Sequence, residues 1–309
     1  MWMRRLRLGW EQGAPSGASP TVPEMTPAAA ARSLGRVFDE VASEYDRNRP
    51  AYPAELVDRA CAVAGIGPGD RVLEVGCGSG QLTRSLVARG LRVTGVEPGG
   101  RLLSLAAGHL REAAELELVN ARFEDVRLVR GGFRAVFCAS AFHWLDPDVS
   151  WSKVADALAP GGTLALIQYC GLREPSAELD LQALLQALVR IAPEAAAAWP
   201  VYRDLGGLLT GAAERRSNVS DVWAFVGSQD VARAAAARLF GDAEVSAVPA
   251  VLEHTAREIT QLMSTLSFYA LLSPAQRMAL ERELVALHES LGRPIRSGTV
   301  AVLVTAQTL

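Results

Sequence analysis

Lysine is almost missing from this chain. Of 31 basic residues only Lys153 is a lysine, and 34 acidic residues leave a net charge of −3. No basic stripe or basic excess exists, which argues against nucleic acid as a partner. Cysteine and histidine are scarce, with four of each. Cys61, Cys77, Cys138 and Cys170 are widely spaced and form no CxxC pair, so no metal site is readable. Free thiols in a reducing cytoplasm are the expectation. No apolar, uncharged run reaches the ~18 residues of a membrane span. The basic opening "MWMRRLRLGW" lacks the apolar stretch of a signal peptide. Internal repeats are absent, and the alanine runs 195–198 and 234–237 are good helix material and nothing more. Nothing in the sequence speaks to oligomeric state.

What remains is a globular composition. Half of the 309 residues are hydrophobic, enough for about two domains or one domain with large insertions. Residues 1–32 are rich in Gly, Pro, Ser and Ala and show no periodicity, so a disordered arm is expected there. Leu34, Val37, Phe38, Val41 and Tyr45 then fall at helical spacing. From Arg71 onward, strands are expected at 71–75, 91–96, 116–119, 134–138 and 162–168. Helices are expected at 80–89, 99–110 and 147–158. This alternation predicts an α/β fold with a doubly wound, mostly parallel sheet and right-handed crossovers. Two further strands, 244–252 and 299–307, bring the sheet to seven. Helices are also expected at 176–191, 199–211, 229–240, 256–270 and 274–291. The resulting organisation is a nucleotide-binding core at 33–170, completed by final strands within 241–252 and 296–309. The segments 171–240 and 253–295 interrupt it as a helical lid.

The stretch "RVLEVGCGSGQLTRSL", 71–86, places glycines at alternate positions, Gly76, Gly78 and Gly80, between a strand and a helix. Glycines there let a ligand approach the backbone, and the helix start offers free N–H groups. A nicotinamide dinucleotide and S-adenosylmethionine both make this demand. The dinucleotide spacing GxGxxG is not met, because Gln81 stands where its third glycine belongs. Glu74 sits inside the otherwise apolar strand, a costly position unless it is partnered. Glu97 ends the second strand in "VTGVEPGG", where a carboxylate can accept both hydroxyls of a ribose. Glu124 follows the third strand beside Phe123, a carboxylate next to an aromatic face.

Taken in order, "VLEVGCGSGQLTRSL", "VTGVEP", "ARFEDV", "FRAVFCASAFHWLDP" and "LAPGGTLALI" resemble a class I S-adenosylmethionine-dependent methyltransferase. "FDEVASEYDRNRPAYP" and "FHWLD" resemble its small-molecule branch related to trans-aconitate methyltransferases. The resemblance covers residues 35–170 well and the remainder loosely. It implies S-adenosylmethionine as cofactor and a small-molecule acceptor, with a place in bacterial secondary metabolism. It further implies that Glu74, Gly76, Cys77, Gly78 and Gly80 wrap the methionine moiety. Glu97 would hold the ribose, Pro98 would lie near the adenine, and Phe123 and Glu124 would hold it. Ala139 and Ser140 would line the methyl end, while Tyr45 and Arg49 would close over the cofactor carboxylate. Arg122 departs from the acidic residue that many relatives carry before the aromatic.

His143 and Trp144 lie just past the carboxyl end of a sheet strand, where open α/β sheets bind ligands. His143 is the candidate general base, with an ordinary pKa of about 6.5, or else a structural residue that orients Trp144 or caps a helix through a backbone hydrogen bond; Trp144 is a candidate wall of the acceptor pocket. Two rival readings remain at this point. One is a nicotinamide-dependent oxidoreductase. The other is a protein of the same fold that binds S-adenosylmethionine without methyl transfer, since fold does not fix function.

Overall fold

The computed structural model describes Asp39 and residues 42–197, 199–228, 231–264 and 266–309, except the side chains of Glu44, Tyr45, Asn48, Ser267 and Ala270. The expected arm at 1–32 and Leu34, Val37, Phe38 and Val41 lie outside that description. The chain opens with helices α1 (Ala42–Asn48) and α2 (Ala54–Ala64). Pro50 and Pro53 separate them by removing backbone donors. There follow β1 (Arg71–Val75), α3 (Gln81–Val87), β2 (Arg92–Val96), α4 (Gly100–His109), β3 (Leu116–Val119) and β4 (Phe133–Ala139). A 3₁₀ turn (Phe142–Trp144), α5 (Pro147–Ala157) and β5 (Leu158–Gly171) complete the first half. Asp146 caps α5 by accepting the Asp148 N–H at 3.0 Å, and Pro147 takes the first helical position.

The second half contains α6 (Glu178–Ile191), α7 (Pro193–Ala197), α8 (Leu205–Ala213), α9 (Val219–Gly227), β6 (Glu244–His254), α10 (Ala256–Ser264), α11 (Pro274–Leu291) and β7 (Ile295–Gln307). The seven strands form one sheet in the order β3-β2-β1-β4-β5-β7-β6. The strands from β3 to β5 pair in parallel, and β7 runs antiparallel between β5 and β6. This is the mostly parallel, doubly wound sheet that the alternation predicts.

Inner strands are apolar on both faces because helices cover both. Along β4, Val136 and Cys138 pack on one side with Trp151 of α5 and Trp223 of α9. Ala135 and Phe137 pack on the other with α2 and α3. Leu184, Ile259, Phe268 and Leu280 form a separate apolar cluster of α6, α7, α10 and α11. That cluster caps one end of the sheet. The segment between Leu205 and Phe240 behaves differently: Leu208, Ala212, Val222, Val226 and Phe240 join the sheet's own core.

Several expected boundaries shift. The helix expected at 229–240 is a 3₁₀ turn at Ala234–Arg238, and the true helix, α9, comes earlier. Asn218 caps α9 through the Ser220 N–H (3.0 Å), and its buried Val219, Val222, Trp223 and Val226 outweigh the helix propensity of the alanine run. The helix expected at 199–211 starts at Leu205, where Asp204 caps it. The helix expected at 256–270 ends at Ser264, with a 3₁₀ turn at Ser267–Leu271. β5 runs past its expected end because it pairs with β7 as far as Gly171↔Thr299, and β7 starts earlier than expected because it pairs with β6 back to His254↔Ile295. Among the described residues no helix is long and apolar enough to cross a membrane.

Candidate functional site

At the carboxyl ends of β1, β2, β4 and β5 the chain encloses a cavity of about 1040 Å³. β1 leads into it through the glycine turn. Gly76 has φ +69°, and a Cβ there would collide with the side chain of Ala141. Gly78 has φ +56° and open space beside it. L-residues with side chains seldom adopt such angles, so this turn is built for glycine and leaves its backbone bare toward the cavity. Gly80 lines neither this cavity nor its small neighbour; a Cβ there would press on Ala106 and Leu110 of α4 at 3.3 Å. Its role is packing.

Glu97 follows β2 and is buried. Its Oε2 accepts from the Gly78 N–H (3.1 Å) and its Oε1 from the Gly99 N–H (2.8 Å). Burial pushes its pKa up, and those two N–H groups pull against the rise. Pro98 lines the same wall. Glu74 stands behind the turn, 1 % exposed, in an adjoining pocket of about 20 Å³ that Cys77 also lines. The Thr83 hydroxyl donates to Glu74 at 2.7 Å. Burial raises the Glu74 pKa to about 8, the Thr83 bond working against it, so the carboxyl is mostly protonated at pH 7.

Phe123 and Glu124 line the next wall. Glu124 Oε1 accepts the Asp146 N–H at 2.8 Å, and Oε2 pairs with Arg122 at 3.3 Å. Lys153 donates to the carbonyls of Glu124 (2.8 Å) and Val126 (2.6 Å) and lies 5.3 Å from the Phe123 ring centroid. The single lysine thus braces this wall.

Ala139 and Ser140 end β4 on the cavity. Ser140 has φ +53°, an uncommon angle for a residue with a side chain, and its hydroxyl accepts from Tyr52 at 3.0 Å. Backbone strain of this kind gathers at functional sites. Arg49, His143 and Trp144 close the cavity beside them. The His143 and Trp144 rings stand 4.5 Å apart, and among the described residues no atom hydrogen-bonds His143 Nδ1. Burial, and secondarily the Arg49 charge, pull the His143 pKa down to about 4. This corrects the ordinary value expected above: the ring is neutral at pH 7 and a weak base. The backbone of Tyr45 lies in α1. Its side chain lies outside the described residues.

Sequence reasoning missed other lining residues. Asp39 accepts the N–H groups of Arg101 (2.8 Å) and Leu102 (3.1 Å) at the start of α4. Tyr169 of β5 stacks on Tyr52 at 5.7 Å, and Gln168 beside it is 4 % exposed. Gln168 carried a readable signal, because it is the one amide in the apolar run "TLALIQY". The α10 residues Ile259 and Met263 come from the cap and only the fold brings them to the cavity, beside Trp199 and Tyr202, aromatics that the sequence already places in the lid as core or pocket residues.

Residues 72–162, which hold the glycine turn and most of this site, match the family model described as a methyltransferase domain. An uncharacterized methyltransferase of Mycobacterium tuberculosis is 37% identical over 136 residues, 44% of this chain and 53% of that protein. An uncharacterized methyltransferase of Schizosaccharomyces pombe is 25% identical over 144 residues, 43% of this chain and 53% of that protein. The chain thus spans about half the length of these curated relatives. A putative type II methyltransferase from Anaeromyxobacter dehalogenans superposes with a TM-score of 0.53 over 84% of this chain and 97% of its own, at 19% identity. The sheet therefore has the Rossmann-like methyltransferase fold, and the stretch that builds the glycine turn, Glu97 and His143 is the stretch that is similar to methyltransferase domains.

Proposed function

We propose that the chain transfers a methyl group from S-adenosylmethionine to a small-molecule acceptor. One observation carries the reading: a single cavity holds both a glycine-turn end with a buried carboxylate and an apolar end under the cap. Its volume lies at the upper limit of the ~300–1,000 Å³ typical of small-molecule sites, room for two ligands side by side. The site fits the cofactor. Bare backbone at Gly76 and Gly78 admits close approach, and Glu97 retains lone pairs beyond its two N–H bonds. The match to the methyltransferase model over 72–162 supports the same assignment.

The cofactor supplies an electrophilic methyl on sulfur; the residues supply position and exclude water. In this proposal Gly76, Gly78 and Arg49 hold the methionine end, with Glu74 and Cys77 supporting the turn from behind. Glu97 takes the ribose hydroxyls, while Pro98, Phe123 and Glu124 wall the adenine. Ala139 and Ser140 border the reacting end, and Trp144 faces the acceptor. Alignment of this kind supplies roughly 7–11 kcal/mol of a barrier. A neutral His143 of pKa about 4 removes protons poorly, so its role is to orient the acceptor by a hydrogen bond through Nδ1.

Calorimetry with S-adenosylhomocysteine, NAD and NADP tests the reading. S-adenosylhomocysteine alone should bind, and Glu97→Ala should weaken it by about 10²-fold or more, since charged hydrogen bonds contribute ~1.5–3 kcal/mol each. Binding of NAD in its place would sink the assignment. A labelled methyl group that never leaves the cofactor, across a metabolite panel, would point to binding without transfer.

A further inference from the structure

The apolar end of the cavity has an unusual polar inventory. Its serine and threonine hydroxyls are already paired: Ser140 with Tyr52 (3.0 Å), Ser228 with Arg203 (3.3 Å), Ser297 with His254 (3.0 Å) and Thr299 with the Cys170 carbonyl (3.2 Å). At this end, among the described residues, three buried nitrogens have no nitrogen or oxygen partner: His143 Nδ1, Gln168 Nε2, which has only the Cys170 thiol beside it, and Trp199 Nε1. Two of these, the amide and the indole, are donors only. A buried donor left unpaired costs about 1–3 kcal/mol, so a site that keeps two of them is arranged for an acceptor oxygen. Gln168 is 4 % exposed and sits at the end of β5. Trp199 is held from the other side, packed on Phe268 at 4.9 Å and nearly parallel to Tyr202.

Charge is distributed unequally along the cavity. Among the described residues its lining carboxylates are Asp39, Glu97 and Glu124, all on the glycine-turn and adenine walls. The lining arginine on the cap side, Arg296, is engaged by Glu253 at 3.0 Å. Leu184, Ile259, Met263 and Val226 supply the rest of that wall. Among the described residues a charged acceptor against that wall would meet only Arg296, which already pairs with Glu253, while Arg49 stands toward the glycine turn.

Resting on the methyl-transfer reading above, we propose that the acceptor is an uncharged, largely apolar molecule whose carbonyl, phenol or alcohol oxygen is held by the Gln168 amide and the Trp199 indole. Three naphthalene probes test this on the full chain saturated with S-adenosylhomocysteine: 2-naphthol, 2-naphthoate and 1-naphthylmethylammonium, each followed by calorimetry. 2-Naphthol should bind at least about tenfold tighter than either ion. Gln168→Leu and Trp199→Phe should each weaken it by about tenfold, with the affinity for S-adenosylhomocysteine unchanged. Equal or tighter binding of either ion, absence of naphthol binding, or unchanged naphthol affinity in both variants would overturn the proposal. The same naphthol titration without S-adenosylhomocysteine reads the apolar end by itself. A protein that binds the naphthol but not S-adenosylhomocysteine would refute the methyl-transfer reading and leave the acceptor site standing.

Discussion

Two buried titrating side chains carry opposite signs. Glu74 has its pKa raised from 4.5 to about 8, so the folded state binds a proton that the unfolded chain has released. Stability is therefore greatest below about pH 4.5 as far as this group goes, and declines as pH rises toward 8. Urea unfolding of the wild type should show a loss of a few kcal/mol across that window, and Glu74→Gln should flatten it. A slope that persists in the variant would belong to another group. His143 is the reverse case: its pKa falls from 6.5 to about 4, so its contribution is lost as pH drops through that interval. If His143 only orients the acceptor, turnover should stay level from pH 8 to about 5. His143→Asn should keep most of it, while His143→Ala should raise KM more than it lowers kcat. An acid limb near 6.5 in the wild type would restore the histidine as a base. The identity of these residues was legible from an acid in an apolar strand and a histidine past a strand end. Their pKa values were not, because burial is set by side chains far away in sequence.

The glycine turn and the cap differ in how they can be broken. At Gly78 a valine meets only Gln81 Oε1, at 4.0 Å, but a left-handed backbone, which costs roughly 1–2 kcal/mol, and on the proposed function its side chain obstructs the cofactor's approach to the turn. Gly78→Val should therefore fold, melt slightly earlier and lose S-adenosylhomocysteine by more than about tenfold. Undiminished binding would mean that the turn faces something else. The cap is anchored by one buried acid. Asp180 of α6 accepts two hydrogen bonds from the Arg293 guanidinium (2.8 and 2.9 Å) and one from the Arg296 N–H (2.7 Å). Burial alone would raise its pKa; those bonds outweigh it and hold the carboxyl below its usual range. Asp180→Ala removes three hydrogen bonds that tie α6 to the start of β7, leaves Arg293 to turn to water, and should cost about 1–3 kcal/mol in urea unfolding. A loss under about 1 kcal/mol would show that apolar packing alone fixes α6. Elements with strong punctuation were read well from sequence. Ser273 and Gln276 form the capping box that opens α11, and Thr255 and Glu258 do the same for α10. The α9 segment was missed because its Asn218 cap competes with a more conspicuous alanine run downstream.

Across the whole molecule, the sheet was legible because its strands alternate with helices and its inner strands are apolar throughout. The cap's division was hidden. Nothing local distinguishes Leu208 and Trp223, which pack on the sheet, from Leu184 and Phe268, which pack over its end. The cap enters the chain at two places, α6 and α7 after β5 and α10 and α11 between β6 and β7. Neither insertion supplies a strand. The apolar end of the cavity can therefore diverge or lengthen without any change to the parallel strands and the glycine turn. On the proposed methyl-transfer reading, selectivity becomes partly portable: transplanting the two insertions between proteins with this sheet should carry the apolar wall with them, while Gln168 on β5 and the glycine turn stay with the sheet.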